Sequence, residues 1–279
     1  MFQYAIGRAL SIASNSKFLI DISRFDGYEL HNGFEISRVF DAPVQVATRA
    51  DLKSLLGWRR HRLILSILKR MPLQWQRGGS LLIEPYFGYW SGVEDKIPPF
   101  YIVGYWQSEK YFKSVREVVR KDFRFKSKLD EKNAEISFRI RNCQSVAVHV
   151  RRGDYISDPR NARIMATGDA SYFQRAISLI TKHISEPQFF VFSDDIEWVR
   201  REIKFPYRHQ FVDWNKGTRS YIDMQLISQC KHQIISNSTF SWWGAWLNNN
   251  REKIVIGPKK WFVNKLDDRD LVPADWIRI

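Results

Sequence analysis

Apolar and polar positions follow two rhythms along this chain, one helical and one of short apolar runs. Phe2, Ile6, Ala9, Leu10 and Ala13 recur at helical spacing, so a helix begins almost at the first residue. Residues 17–21 (Lys-Phe-Leu-Ile-Asp) then read as a strand. A helix followed by a strand implies an α/β unit whose first strand is absent from this numbering. Residues 51–70 predict a helix rich in leucine and isoleucine, closed by Pro72. Residues 80–84 and 101–103 predict short strands, and Ser108 is placed to cap a helix reaching Phe123. The stretch 130–142 is polar and charged and reads as a linker. Beyond it, runs at 146–150, 188–192, 210–212, 233–235 and 253–256 alternate with helical patterns near 170–184, 195–203, 219–230 and 239–249. Short strands alternating with helices predict parallel βαβ units in a doubly wound sheet. The fold class is α/β: a domain over 1–142, and a Rossmann-like domain over 143–279.

Composition narrows the function classes. The 279 residues are 44% hydrophobic, enough for a substantial core, and carry a net charge of +14. That balance implies acidic partners: nucleic acid, an anionic membrane surface or phosphorylated substrates. Cys143 and Cys230 have no zinc or redox spacing and fit a reduced, cytoplasmic chain. No signal peptide or membrane-spanning run is visible, so the chain reads as soluble, with peripheral membrane contact left open. The basic pattern at 51–70 suits either an anionic lipid surface or a helix packed on the core with its charges in water.

The candidate chemistry sits where the predicted strands stop. Val146–Val150 leads into Arg151, Arg152, Gly153, Asp154 and Tyr155. Ligands of open α/β sheets bind outside the carboxyl ends of the strands, and arginine offers a permanently charged fork of donors for phosphate. Two surface arginines in a turn are the plainer alternative. The run at 233–235 leads into Ser236, Asn237, Ser238, Thr239, Phe240 and Ser241, four hydroxyls and an amide at a predicted helix N-terminus. A cap needs one hydroxyl, so the surplus points to phosphate. Asp223, on the preceding helix, fits a contact to base or ribose and fits a structural ion pair equally well. Ser193-Asp194-Asp195 suits a magnesium site or a helix cap, and the nearby arginines favour the cap. Neither a P-loop nor a glycine-rich dinucleotide fingerprint occurs, which removes support for ATPase and NAD readings.

His149-Val150-Arg151-Arg152-Gly153-Asp154-Tyr155 and Ser236–Leu247 together closely resemble the bacterial α-1,2-fucosyltransferases of glycosyltransferase family 11. Gly104–Phe112 and the opening Met-Phe-Gln-Tyr-Ala match as well, so the resemblance spans nearly the whole chain. It implies a metal-independent, inverting GT-B enzyme with two Rossmann-like halves across a cleft. Such an enzyme moves L-fucose from GDP-β-L-fucose, a co-substrate and not a cofactor, to the 2-hydroxyl of a galactose-type acceptor in a surface glycan such as O-antigen. By that similarity Arg151 neutralises the diphosphate, and His149 and Asp223 address the guanine end. Ser238 and Thr239 hold phosphate, and Arg152 and Phe240 complete the donor-binding set. Asp154 is the candidate general base, or else orients an arginine. The family motif has a strand and a glycine-rich turn ahead of Met-Phe-Gln-Tyr, so a truncated relative that only binds GDP is one alternative. Another linkage from the same donor is a second. A basic nucleic-acid-binding protein would account for the charge and the eleven tryptophans, but no nucleic-acid motif supports it.

Overall fold

The N-terminal periodicity yields a helix, Phe2–Ala13, that buries Phe2, Tyr4, Ala5, Ile6 and Ala9. The computed structural model describes residues 1–25, 32–70, 79–153, 169–263 and 266–279. These form two compact units: 1–126 with 269–271, and 127–268 with 272–279. The units part after Lys126, ahead of the 142/143 boundary expected from the sequence.

In the first unit, β1 (Leu81–Ile83) and β2 (Tyr101–Val103) pair in parallel, Leu81 opposite Tyr101. Leu56, Leu65 and Leu68 cover them from one side. The strand expected at 17–21 reduces to one parallel bridge, Ile20 to Val46. The single helix expected over 51–70 is two, Arg49–Leu56 and Arg62–Arg70, with a 3₁₀ turn at Gly57–Arg60 between them. Gly57 has φ +56°, a conformation other residues reach only with strain, and it breaks the helix there. The helix starting at Ser108 is a 3₁₀ segment, Glu109–Val115, bent at Phe112 and continued as Arg116–Asp122. Tyr4 donates its hydroxyl to Asp122 at 2.8 Å and Arg8 pairs with the same carboxylate at 3.0 Å, tying the first helix to the last.

The second unit is the doubly wound sheet. Its strands are β3 (Ser145–Val150), β4 (Gln188–Ser193), β5 (His209–Val212), β6 (His232–Ile235), β7 (Val255–Gly257) and the short β8 (Ile277–Arg278). All neighbours are parallel, in the order β5-β4-β3-β6-β7-β8. β3 and β6 are buried end to end because helices cover both faces. Alternation sorts their side chains. Val146, Val148 and Val150 pack with Phe173 and Ile177 of helix Ala170–Ile180, while Ala147 faces Ile136, Leu226 and Ile227 on the other side.

The stretch read as a linker is a helix, Glu131–Arg141, capped by Asp130. It buries Asn133, Ile136, Ser137 and Ile140, a helical stripe whose polar members hid it. Helices Tyr221–Gln229 and Thr239–Leu247 touch so closely that a Cβ at Gly244 would lie 2.6 Å from Ile227 Cγ2. Trp242, Trp243, Trp246, Trp261 and Trp276 are all buried, so these tryptophans build core instead of a stacking surface.

Candidate active site

Numbered within its own unit, the sheet runs 3-2-1-4-5-6, and the order reverses between β3 and β6. At such a switch point the loops leaving two neighbouring strands turn to opposite faces and open a crevice at the carboxyl edge. The predicted chemistry follows those two strands. Their ladder persists into the loop, where Ser236 N donates to His149 O at 3.1 Å.

β3 delivers His149, Arg151, Arg152 and Gly153 to this edge, and β4 beside it delivers Asp194. One carboxylate organises the turn. Asp194 Oδ1 accepts from Arg152 N at 2.9 Å, Oδ2 accepts from Gly153 N at 3.1 Å, and Arg151 Nε lies 3.2 Å from Oδ2. Arg152 lies over the Trp198 ring at 3.8 Å, with Asp195 Oδ2 3.6 Å from its Nε. Asp195 itself caps helix Ile196–Glu202 by accepting from Trp198 N at 3.2 Å. The Ser-Asp-Asp sequence thus holds a cap and a clamp. The clamp was missed because a carboxylate after a strand carries no mark of which backbone it will meet.

His149 is 6% exposed, with Nδ1 3.2 Å from Ser236 Oγ and its ring 5.4 Å from Phe240. Burial, reinforced by the Arg151 charge, pushes its pKa down to about 3, so the imidazole is neutral at physiological pH. Three of the four predicted hydroxyls have internal partners. Ser236 meets His149, Ser238 caps Thr239–Leu247 by accepting from Phe240 N at 3.3 Å, and Ser241 donates to Ser238 O at 3.2 Å. Thr239 is the exposed one. Capacity for an anion here lies with Thr239 and the helix N-terminus, and less with the serines than their number suggests.

Asp223 is in the first turn of Tyr221–Gln229, which leaves the same edge. Asn215 Nδ2 donates to it at 2.8 Å, and Asn215 is itself locked in a reciprocal amide pair with Asn133, at 3.0 and 2.9 Å. Burial, with the Asp213 charge added, raises the Asp223 pKa to about 7 against that hydrogen bond. His149 is therefore set against Ser236 and Phe240 between β3 and β6, with the Arg151 charge acting on its ring, while Arg152 is turned onto Trp198 and Asp195 after β4; Ser238 and Thr239 follow β6 at the start of the next helix. Asp223 shares the edge through a different partner set. Asp154 lies outside the described residues. Among the described residues, no group of three or more His, Cys, Asp or Glu side chains could hold a metal ion.

A model of the family described as glycosyl transferase family 11 matches residues 81–279. An alpha-1,2-colitosyltransferase of Escherichia coli is 33% identical over 282 aligned positions, covering 100% of this chain and 94% of that protein. The O-antigen biosynthesis glycosyltransferase WbnK, also of Escherichia coli, is 38% identical over 50% of this chain and 45% of its own. Among solved structures, a NodZ alpha-1,6-fucosyltransferase soaked with GDP-fucose aligns over 88% of this chain and 87% of its own, with 15% identity and a TM-score of 0.48.

Proposed function

This chain belongs to glycosyl transferase family 11, and on that premise we propose that it transfers L-fucose from GDP-β-L-fucose to the 2-hydroxyl of a galactose-type acceptor, with inversion. The observation that supports the reading is the pairing of β3 with β6 at the switch point, which sets His149 against Ser236 and starts the Arg151-Arg152 turn and the Ser236–Phe240 loop from adjacent strand ends. As the bond from fucose to the diphosphate breaks, negative charge grows on the departing GDP. A fixed guanidinium beside that oxygen stabilises the transition state more than the bound donor. Arg151 takes this role, with Arg152 and the N-terminus of Thr239–Leu247 holding the rest of the diphosphate. Asp223, when ionised, accepts from the guanine edge, and His149, fixed as a neutral ring against Ser236, shapes that end of the site. Asp154 follows the same motif and is the proposed acceptor of the hydroxyl proton.

The test is incubation with GDP-fucose and lactose in the presence of chelator, followed by linkage analysis, for the wild type and Arg151→Ala. The wild type is expected to form the α-1,2 product, and the variant to lose it while keeping its fold. Near-normal turnover in Arg151→Ala would remove the leaving-group argument. A second donor is favoured by the colitosyltransferase that aligns with the whole chain. Colitose lacks one ring hydroxyl of fucose, and the ratio of rates with the two GDP-sugars decides between them.

The acceptor is proposed to be met at an anionic membrane surface. No helix among the described residues is long and apolar enough to cross a membrane. Yet Trp58, Leu63 and Ile67 are 62%, 80% and 57% exposed, beside exposed Lys53 and Arg60. Apolar side chains in water next to cations are the pattern of interfacial contact with acidic lipid.

A further inference from the structure

The parallel pair of the first unit has a carboxyl edge of its own, and its residues conflict with simple packing in three ways. Glu84 follows β1 directly, and Gly104, Tyr105 and Trp106 follow β2. The Glu84 carboxylate is drawn into the turn, Oε2 accepting from Tyr105 N at 2.7 Å and Oε1 from Trp106 N at 3.0 Å. Burial raises its pKa even so. Gly104 is the only residue the turn can hold there: a Cβ would lie 2.5 Å from Glu84 Cβ and 2.9 Å from Trp106 Nε1. Trp106 adopts φ +56°, is fully buried, and its indole N–H finds no hydrogen-bond partner among the described residues. Finally, the same turn leaves Tyr105 68% exposed. Gln3 Nε2 donates to Gly104 O at 2.6 Å and Trp90 stacks on Trp106 with centroids 6.4 Å apart, so the arrangement is braced, not loose. Strain and an unmet buried donor held in place by surrounding structure point to a function for the turn.

We propose that this edge is a hexose-binding subsite for the acceptor: the Glu84 carboxylate receives hydrogen bonds from neighbouring sugar hydroxyls, and the pyranose face lies on Tyr105. Each carboxylate oxygen retains a lone pair after its backbone bond, and the two N–H groups fix the direction in which those lone pairs point. An exposed ring beside a fixed acceptor matches a pyranose, which has an apolar C–H face and a polar rim. A purely structural carboxylate accounts for the two backbone bonds but not for an aromatic ring left in water at the same turn.

The inference rests on the transferase reading, and its test separates the two. Saturation-transfer NMR on the full chain uses methyl galactoside, methyl glucoside and methyl N-acetylgalactosaminide as probes, with GDP affinity measured in parallel. The wild type is expected to bind at least one glycoside. Tyr105→Ala and Glu84→Gln should each weaken that binding by about tenfold, the loss of one good contact, while GDP affinity stays unchanged. Tyr105→Phe, which keeps the ring, should bind as the wild type does. Because Tyr105 is mostly in solvent, its variants test the site even if Glu84→Gln disturbs the turn. No transfer to any of the three glycosides, or transfer that survives Tyr105→Ala unchanged, overturns the subsite. Failure to bind GDP strikes instead at the transferase reading.

Discussion

Two ionisable groups at the edge of the large sheet should pull stability in opposite directions with pH. His149 falls from its ordinary 6.5 to about 3 on folding. Between those values the unfolded chain holds a proton that the folded chain does not, so stability rises with pH across the window and is lost as pH falls through it. Asp223 rises from 3.8 to about 7. Here the folded chain holds the extra proton, so its contribution is full below 3.8 and is lost as pH rises through 7. Each term amounts to about 1.4 kcal/mol per pH unit, and where the windows overlap they nearly cancel. His149→Gln and Asp223→Asn uncover them separately. Urea denaturation followed by tryptophan fluorescence, run on variant and wild type at each pH, removes every other titrating group from the difference. From about pH 4.5 to 6, the wild type should gain about 2 kcal/mol relative to His149→Gln and lose a similar amount relative to Asp223→Asn. The double variant should return to the wild type's pH profile, since the two groups have different partners. Two difference slopes of the same sign, or none for His149→Gln, would refute the assignment of a neutral buried imidazole and, separately, a protonated carboxyl.

Asp194→Ala removes the acceptor for two backbone N–H groups and the partner of Arg151, so kcat should fall by roughly 10- to 100-fold at nearly unchanged stability; unchanged kcat denies Asp194 a positioning role. Gly244→Ala forces a methyl against Ile227 and should cost about 1–3 kcal/mol in denaturation, while Gly79→Ala, with open space around it, should cost almost nothing. Replacing Trp58, Leu63 and Ile67 together by serine should abolish co-sedimentation with phosphatidylglycerol vesicles and leave GDP affinity intact. Sedimentation equal to that of the wild type would rule out this face as the membrane contact.

What the amino-acid pattern disclosed, and what it hid, follows from what periodicity measures. It reports which side chains leave water. β3, β4 and β6 leave it on both faces, so they stood out as apolar runs, and the residues after them marked the edge where a ligand belongs. Periodicity does not report which strand lies beside which, and the switch point between β3 and β6 emerged only from the pairing. The first unit was harder to read because its sheet, among the described residues, has two short strands and its helices are broken by Gly57 and the bend at Phe112. The misread linker is the more instructive case. Helix Glu131–Arg141 looked like a solvated connection because two of its four buried positions are Asn133 and Ser137. Those side chains leave water too, but into hydrogen bonds: Ser137 donates to Gln229, and Asn133 pairs with Asn215 while accepting from Trp214 Nε1. Asn215 in turn donates to Asp223. The polarity that concealed the helix is thus what holds Asp223 in place, so a scale that scores burial by hydrophobicity passes over the support of the very group it would need to explain.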